Sequence, residues 1–377
     1  MIELKGIAWN HSRGFVSVVA TGQRYEELNP HVRISWEKRS LQEFADKPLQ
    51  DLVGRYDLLI VDHPFTGFAA EEGVLAAYED YLPQEYLADQ LKNSVGASCN
   101  SYRYFDKQWA LACDAAAPIS SWRPDLVEQS GFELPKTWDD LLLMAKKDKV
   151  ALPALPVDSM MHYIMLCVAL GGFPADTERS NQALELLKEL VSLCPDWCLQ
   201  NNPIQVAEYM TQNDDIIYCP FAYGYSNYSR DYYAENHLKA GGLVTLNGET
   251  LSSVLGGAGI AVSAHSKNTE EAMKYAAFTS SPEQQKGLYY EAGGQPGHRG
   301  AWQDSHVNAS CHDFFKDTLQ TLDQAYVRPS HSGYIPFQDK AGPVVHSYLS
   351  NNMALEDCVS KIQQYYEESH QQKESQS

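Results

Sequence analysis

The residues with the most chemistry to offer sit in short, turn-rich segments. Asn10-His11-Ser12-Arg13-Gly14 ends the first apolar run, and Asp62-His63-Pro64 ends a later one. Each puts hydrogen-bond donors on a tight turn, where they either hold a polar solute or stabilise the turn itself. Asp114 closes the run Trp109 to Cys113. Ionised, its carboxylate only accepts hydrogen bonds, so it suits hydroxyl groups or the cap of a local turn. Phe221 to Tyr228 gathers Tyr223, Tyr225 and Tyr228, whose rings can stack on an apolar ligand face or simply pack. Arg299 ends the turn Gly293-Gly-Gln-Pro-Gly-His-Arg, with Trp302 close behind, and either reaches a ligand or packs in its loop. Arg13, Arg299, His11 and His63 together would suit a carboxylate, phosphate or sulfonate, which arginine holds bidentately.

This is binding chemistry without a catalytic signature. No Gly-x-Ser-x-Gly elbow or His-Glu-x-x-His pair occurs, and carboxylates are frequent enough to pair by chance. Gly256, Gly257 and Gly259 lack the Lys-Ser/Thr of a phosphate loop; they read as a bent return crossover that lets backbone approach the ligand closely. Cys194 and Cys198 lack the second ligand pair of a zinc site. No cofactor and no metal are expected. The eight cysteines stand mostly alone in apolar stretches, as buried thiols do.

With 49 acidic against 29 basic residues, the formal charge of −20 repels nucleic acid and anionic lipid. The balance suits a monomer that is not membrane-spanning, and the longest apolar runs are far too short for a bilayer. A chain of 377 residues exceeds the usual single core, so two lobes are expected. The N-terminus enters a strand without a secretory signal, and the polar tail Glu367 to Ser377 is expected to fray.

The elements that must position these residues follow from periodicity. Leu4 to Trp9 reads as a strand, Phe15 to Leu28 as a helix, Val32 to Glu37 and Tyr56 to Val61 as strands, and Gly67 to Glu72 as a helix. Such β-α-β-α order favours a largely parallel sheet, with ligands at the loops beyond the strands' carboxyl ends. Further strands are expected at Trp109 to Cys113, Pro118 to Trp122, Asp215 to Cys219 and Gly259 to Val262. Thr137 reads as the N-cap of a helix whose first turn carries Asp139 and Asp140. Helices are also expected near Ser159 to Leu170, Asn181 to Leu193, Glu270 to Phe278, Pro282 to Ala292, Cys311 to Ala325 and Leu355 to Glu368.

Several segments, in order, resemble one family over nearly the whole chain. They are Tyr25 to Trp36; Tyr56 to Pro64 with Gly73-Val-Leu; Tyr104 to Asp114; Trp122 to Gly131; Leu134-Pro-Lys-Thr-Trp-Asp-Asp-Leu141; and Gly256 to Ala272 with Ser281-Pro-Glu-Gln-Gln-Lys286. Together they resemble the family 1 extracellular solute-binding proteins, the maltose-binding-protein-like receptors of ABC importers. The resemblance implies a two-lobed α/β fold of the periplasmic-binding-protein type II, each lobe a mainly parallel sheet flanked by helices. It implies a first lobe of residues 1–112 and 256–308 and a second of 113–255 and 309–377, with hinge crossovers near 113–116, 253–258 and 308–312.

It also implies a function: a solute receptor, not an enzyme, that closes its lobes on a small polar ligand and passes it to permease subunits. The ligand set expected in the cleft is Asn10, His11, Arg13, His63, Asp114, Tyr223, Tyr225, Gly256, Gly257 and Arg299. A neutral sugar leads on the resemblance, with an anionic organic acid as the alternative. Family members work in the periplasm or outside the cell. The absence of a signal from this sequence leaves a cytoplasmic ligand sensor of the same fold as a rival, with a hydrolase behind it.

Overall fold

The computed structural model describes residues 1–46 and 48–371. The chain divides into two compact units, one comprising Met1–Ala116, Leu255–Ala309 and Val327–Ser332, the other Ala117–Val254, Ser310–Tyr326 and Gly333–Ser377. In chain order the strands are β1 (Ile2–Trp9), β2 (Val32–Arg39), β3 (Leu58–Val61), the hairpin β4 (Arg103–Tyr104) and β5 (Lys107–Gln108), and β6 (Leu111–Ala116). Then come β7 (Pro118–Trp122), β8 (Tyr218–Tyr223), β9 (Lys239–Gly241), the hairpin β10 (Thr245–Leu246) and β11 (Glu249–Thr250), and β12 (Gly256–Val262).

The first unit is built on a five-stranded sheet in the order β2-β1-β3-β12-β6. β1 pairs in parallel with β2 and β3, whereas β12 runs antiparallel to both β3 and β6. All four residues of β3 are buried, as expected of a central strand covered on both faces, while the edge strand β2 alternates buried and exposed positions. The helix Ser17–Leu28 covers one face with the helix Thr269–Thr279, to which Tyr25 donates through Glu271 Oε1 at 2.7 Å. Leu4, Val18, Leu58, Ile60, Ile260 and Tyr275 belong to its core.

The second unit carries a three-stranded sheet, β8-β7-β9, antiparallel throughout. Its core gathers Trp138, Ile164, Leu184, Leu187, Phe221, Phe337 and Ile362 from the sheet and from helices that include Pro156–Ala169, Thr177–Ser192, Tyr334–Leu349 and Leu355–Gln371. Thr137 caps the helix Trp138–Ala145 as expected: its hydroxyl accepts from Asp140 N at 3.1 Å, and Asp140 Oδ2 accepts from Thr137 N at 2.9 Å. None of the described helices is long and apolar enough to cross a membrane. All eight cysteines are buried and unbridged.

The α/β fold holds, but strand direction departs from a mainly parallel arrangement. β12 opposes its neighbours in the first sheet, and β7, β8 and β9 alternate in the second. Period-2 patterning marks a strand without its direction, so this was not readable from the sequence. Residues 113–116, assigned from the sequence to the second lobe, belong to the first unit, because β6 stays paired with β12 up to Ala116. Residues 327–332, assigned likewise, also return to the first unit, where Arg328 meets Asp62. In the tail, 367–371 complete the last helix, and residues 372–377 lie outside the described residues.

Candidate functional site

In the first unit, the parallel strands β1 and β3 end in the two loops singled out from the sequence. After Trp9 the chain makes one wide helical turn, Ser12–Val16, before the helix Ser17–Leu28. Asn10 is exposed, and its backbone N–H continues the β2 ladder to Arg39 O at 2.7 Å. His11 caps the turn, its Nδ1 accepting from Arg13 N at 3.1 Å. Burial, aided by the neighbouring Arg13 charge, pulls the His11 imidazole down to about 4. The ring is therefore neutral near pH 7, acceptor at Nδ1 and N–H donor at Nε2. Gly14 is required here: a Cβ would come within 2.3 Å of the Trp9 indole.

Arg13 and Asp114 do not stand as separate ligand contacts. Arg13 Nε donates to Asp114 Oδ2 at 2.7 Å and Nη2 to Oδ1 at 2.5 Å, with both side chains almost fully buried. A bidentate pair of this kind neutralises both charges. Burial pushes the Asp114 carboxyl upward against the pull of Arg13. The Trp9 ring flanks the guanidinium at 5.8 Å.

At the end of β3, Asp62 accepts from the backbone of His63 at 2.8 Å and takes Arg328 Nη2 on both carboxylate oxygens at 2.9 and 2.7 Å. Burial alone would raise Asp62; Arg328 and then His63 outweigh it and hold the carboxyl well below its ordinary range. His63 is buried edge-on to Tyr102, 6.3 Å between ring centroids. Burial and the Arg328 charge lower its pKa against the pull of Asp62, so it too is neutral; its Nδ1 lies 3.3 Å from Asp62 Oδ1, and Nε2 has no hydrogen-bond partner among the described residues. Arg328 went unnoticed in the sequence because it lies in a Pro/Ser loop far from Asp62 along the chain. Gly67 admits that loop, since a Cβ there would fall 1.8 Å from Ser330 O.

The remaining first-unit nominations are structural in their observed contacts. Gly256 and Gly257 lie within β12 opposite Ala116 and Ala115, and Gly257 has φ +99° with space for no Cβ, 2.5 Å from Asp114 O. Gly257 lets β12 close on β6 just before the register shift between Ala258 and Gly259. Arg299 is half-buried; its Nε donates to Ser94 O at 3.3 Å and its backbone to Asn93 O at 2.7 Å. The charged quartet imagined for an anion is therefore not four cations: two are neutral imidazoles, and Arg13 is balanced by Asp114.

In the second unit, Tyr223 ends β8 and is half-buried, while Tyr225 and Tyr228 are buried against each other edge-on at 6.4 Å. Tyr228 donates to Glu208 Oε1 at 2.8 Å. These rings, with Met210, Leu238 and Phe314, wall an apolar cavity of about 30 Å³, room for little more than a water.

A polar set missed from the sequence lies deeper in this unit. Asp158 and His162 stand one turn apart on the helix Pro156–Ala169, both buried, and Asp158 Oδ2, His162 Nδ1 and Trp138 Nε1 have no hydrogen-bond partner among the described residues. The His162 and Trp138 rings both meet Phe221, at 4.9 and 6.3 Å. Burial raises the Asp158 carboxyl to about 8 and drops the His162 imidazole to about 3. At neutral pH this is an uncharged acid, imidazole and indole, each with unmet hydrogen-bonding capacity, which buried groups rarely tolerate without a ligand or ordered water. Asp and His at i and i+4 in an otherwise apolar helix were the available signal.

The family model for bacterial extracellular solute-binding proteins matches residues 20–307. Among solved structures, the maltose-bound MalE3 of T. maritima is 17% identical, with 96% of this chain and 98% of that one covered at a TM-score of 0.84. An ABC transporter solute-binding protein of Agrobacterium radiobacter in complex with ribitol is 18% identical over 96% and 97%, TM-score 0.82. One of Agrobacterium vitis with bound D-mannitol is 14% identical over 99% of each chain, TM-score 0.80. These likenesses establish the fold.

Proposed function

The chain belongs to the bacterial extracellular solute-binding protein family, and from that premise we propose that it is the receptor of an ABC importer for a neutral sugar or polyol. The observation that carries the ligand class is charge. His11 and His63 in the first unit, and Asp158 and His162 in the second, are held in their uncharged forms, and Arg13 is neutralised by Asp114. Uncharged donors and acceptors match the hydroxyl groups of a polyol; an organic acid would call for an uncompensated cation. The solved structures with maltose, ribitol and D-mannitol support the same class.

In this reading the protein acts outside the cytoplasm, binds without chemistry, and signals occupancy to permease subunits by a ligand-driven closure. A thermal-shift screen across sugars, polyols, sugar acids and amino acids tests it, because a ligand selective for the native state raises the melting temperature by mass action. Neutral polyhydroxyl compounds should give the rise. A response confined to acids would overturn the ligand class, and an unchanged radius of gyration at saturation would remove closure.

A further inference from the structure

The β4–β5 hairpin of the first unit breaks the usual rule for its turn. Phe105 and Asp106 occupy the two central positions with φ of +50° and +59°, between the pairs Arg103–Gln108 and Tyr104–Lys107. A turn with both residues left-handed suits Asn-Gly or Asp-Gly, and a bulky aromatic there is an outlier. Burial offers Phe105 nothing in return: it is 64% exposed, its ring touching that of Tyr104 at 4.5 Å.

The hairpin beneath it is firmly held. Tyr104 donates to Glu71 Oε1 at 2.9 Å, Trp109 Nε1 to Tyr104 O at 2.9 Å, and Gln108 N to both Glu79 oxygens at 2.9 Å. Lys107 pairs with Asp80 at 3.3 Å. A rigid base thus presents a strained, exposed aromatic among the carboxylates of Glu71, Glu79, Asp80 and Asp106, with Arg103 and Lys107 the nearby cations, in a chain of net charge −20.

Strain that packing does not require persists where function uses it, and aromatic anchors carry much of the energy of protein interfaces. We propose that Phe105 is the anchor by which this protein docks on the permease, entering an apolar socket rimmed by Lys or Arg. This rests on the importer reading above. The surrounding carboxylates would steer the encounter and make it salt-sensitive.

The test is ATP hydrolysis by the cognate permease–ATPase complex in proteoliposomes, measured against the concentration of sugar-loaded protein. Phe105→Asn suits a left-handed position; it should raise the melting temperature and leave sugar affinity by calorimetry unchanged. The concentration for half-maximal stimulation should rise about ten-fold or more. Asp106→Asn should weaken stimulation less and flatten its salt dependence. Wild-type potency in Phe105→Asn overturns the anchor alone. A wild-type protein that binds its sugar and stimulates no hydrolysis refutes the importer reading, and the docking partner with it.

Discussion

Arg13 and Asp114 face each other through two parallel hydrogen bonds, a hundred residues apart in the chain and shielded from water together. The pair ties the turn after β1 to the strand β6 and leaves neither charge unbalanced. Removing one partner strands the other. Asp114→Leu or Arg13→Met alone should therefore destabilise by about 3–5 kcal/mol, whereas the two together should be nearly neutral. Denaturant midpoints of the four proteins in that cycle check this, and equal losses for single and double variants would contradict it.

His11 makes stability depend on acidity in one direction. Its folded pKa of about 4 lies below the 6.5 of an unfolded histidine, so between those values the unfolded chain binds the extra proton. Stability should rise as pH climbs through that window and level off above it. His11→Gln should flatten this part of the curve, as read from urea unfolding at successive pH values.

Asp158 acts in the opposite sense. Its folded pKa of about 8 lies above the ordinary carboxyl value of 3.8, so the folded state holds the proton longer, and stability falls as pH rises from about 4 to 8. Asp158→Asn should gain on the wild type across that range, by at most ~1.4 kcal/mol per pH unit. Parallel curves for the two proteins would show that this carboxyl ionises normally.

Apolar substitutions probe binding. His63→Leu and Asp158→Leu each remove a hydrogen-bonding group proposed to meet the solute, and each should weaken affinity for the polyol found by screening by about ten-fold. Titration calorimetry decides; unchanged affinity in both would move the site elsewhere.

Gly67 offers a steric test. Its added Cβ would overlap Ser330 O, so Gly67→Ala should cost about 1–3 kcal/mol and speed hydrogen exchange in residues 327–332. Gly54, with nothing within 4 Å of its Cβ position, is the control and should tolerate alanine.

The elements near the first loops were legible because their patterns are local. The β2 alternation, the apolar run of β3 and the Thr137 cap each declare themselves within a few residues. The helix Tyr334–Leu349 did not, because Pro336 and Pro343 read as breakers. Pro336 falls in the first turn, where proline is tolerated, and tertiary packing overrides Pro343: Gly342 lets the helix close on Pro156, where a Cβ would fall 2.8 Å from the carbonyl oxygen. β8 was set three residues early, at Asp215 in place of Tyr218, since the apolar run begins before the ladder does.

The candidate site was legible only in part. Histidines on turns could be named, but not that burial keeps them neutral. Arg13 and Asp114 could each be nominated, but their union depends on β6 lying beside the turn after β1. Asp158 and His162 were hidden inside a helix whose apolar content looked like plain core.

The interleaving of the two units governs how the chain must be made. It passes from one to the other after Ala116, Val254, Ala309, Tyr326 and Ser332, so the half that leaves the ribosome first still awaits β12, and then Arg328, long after β1 has emerged. Until then Asp62 has no guanidinium to meet and Asp57-Leu-Leu-Ile-Val is an open strand edge. A nascent chain halted before residue 255 should be a client of holding chaperones, and a gene cut at any one of these junctions should yield no self-sufficient fragment.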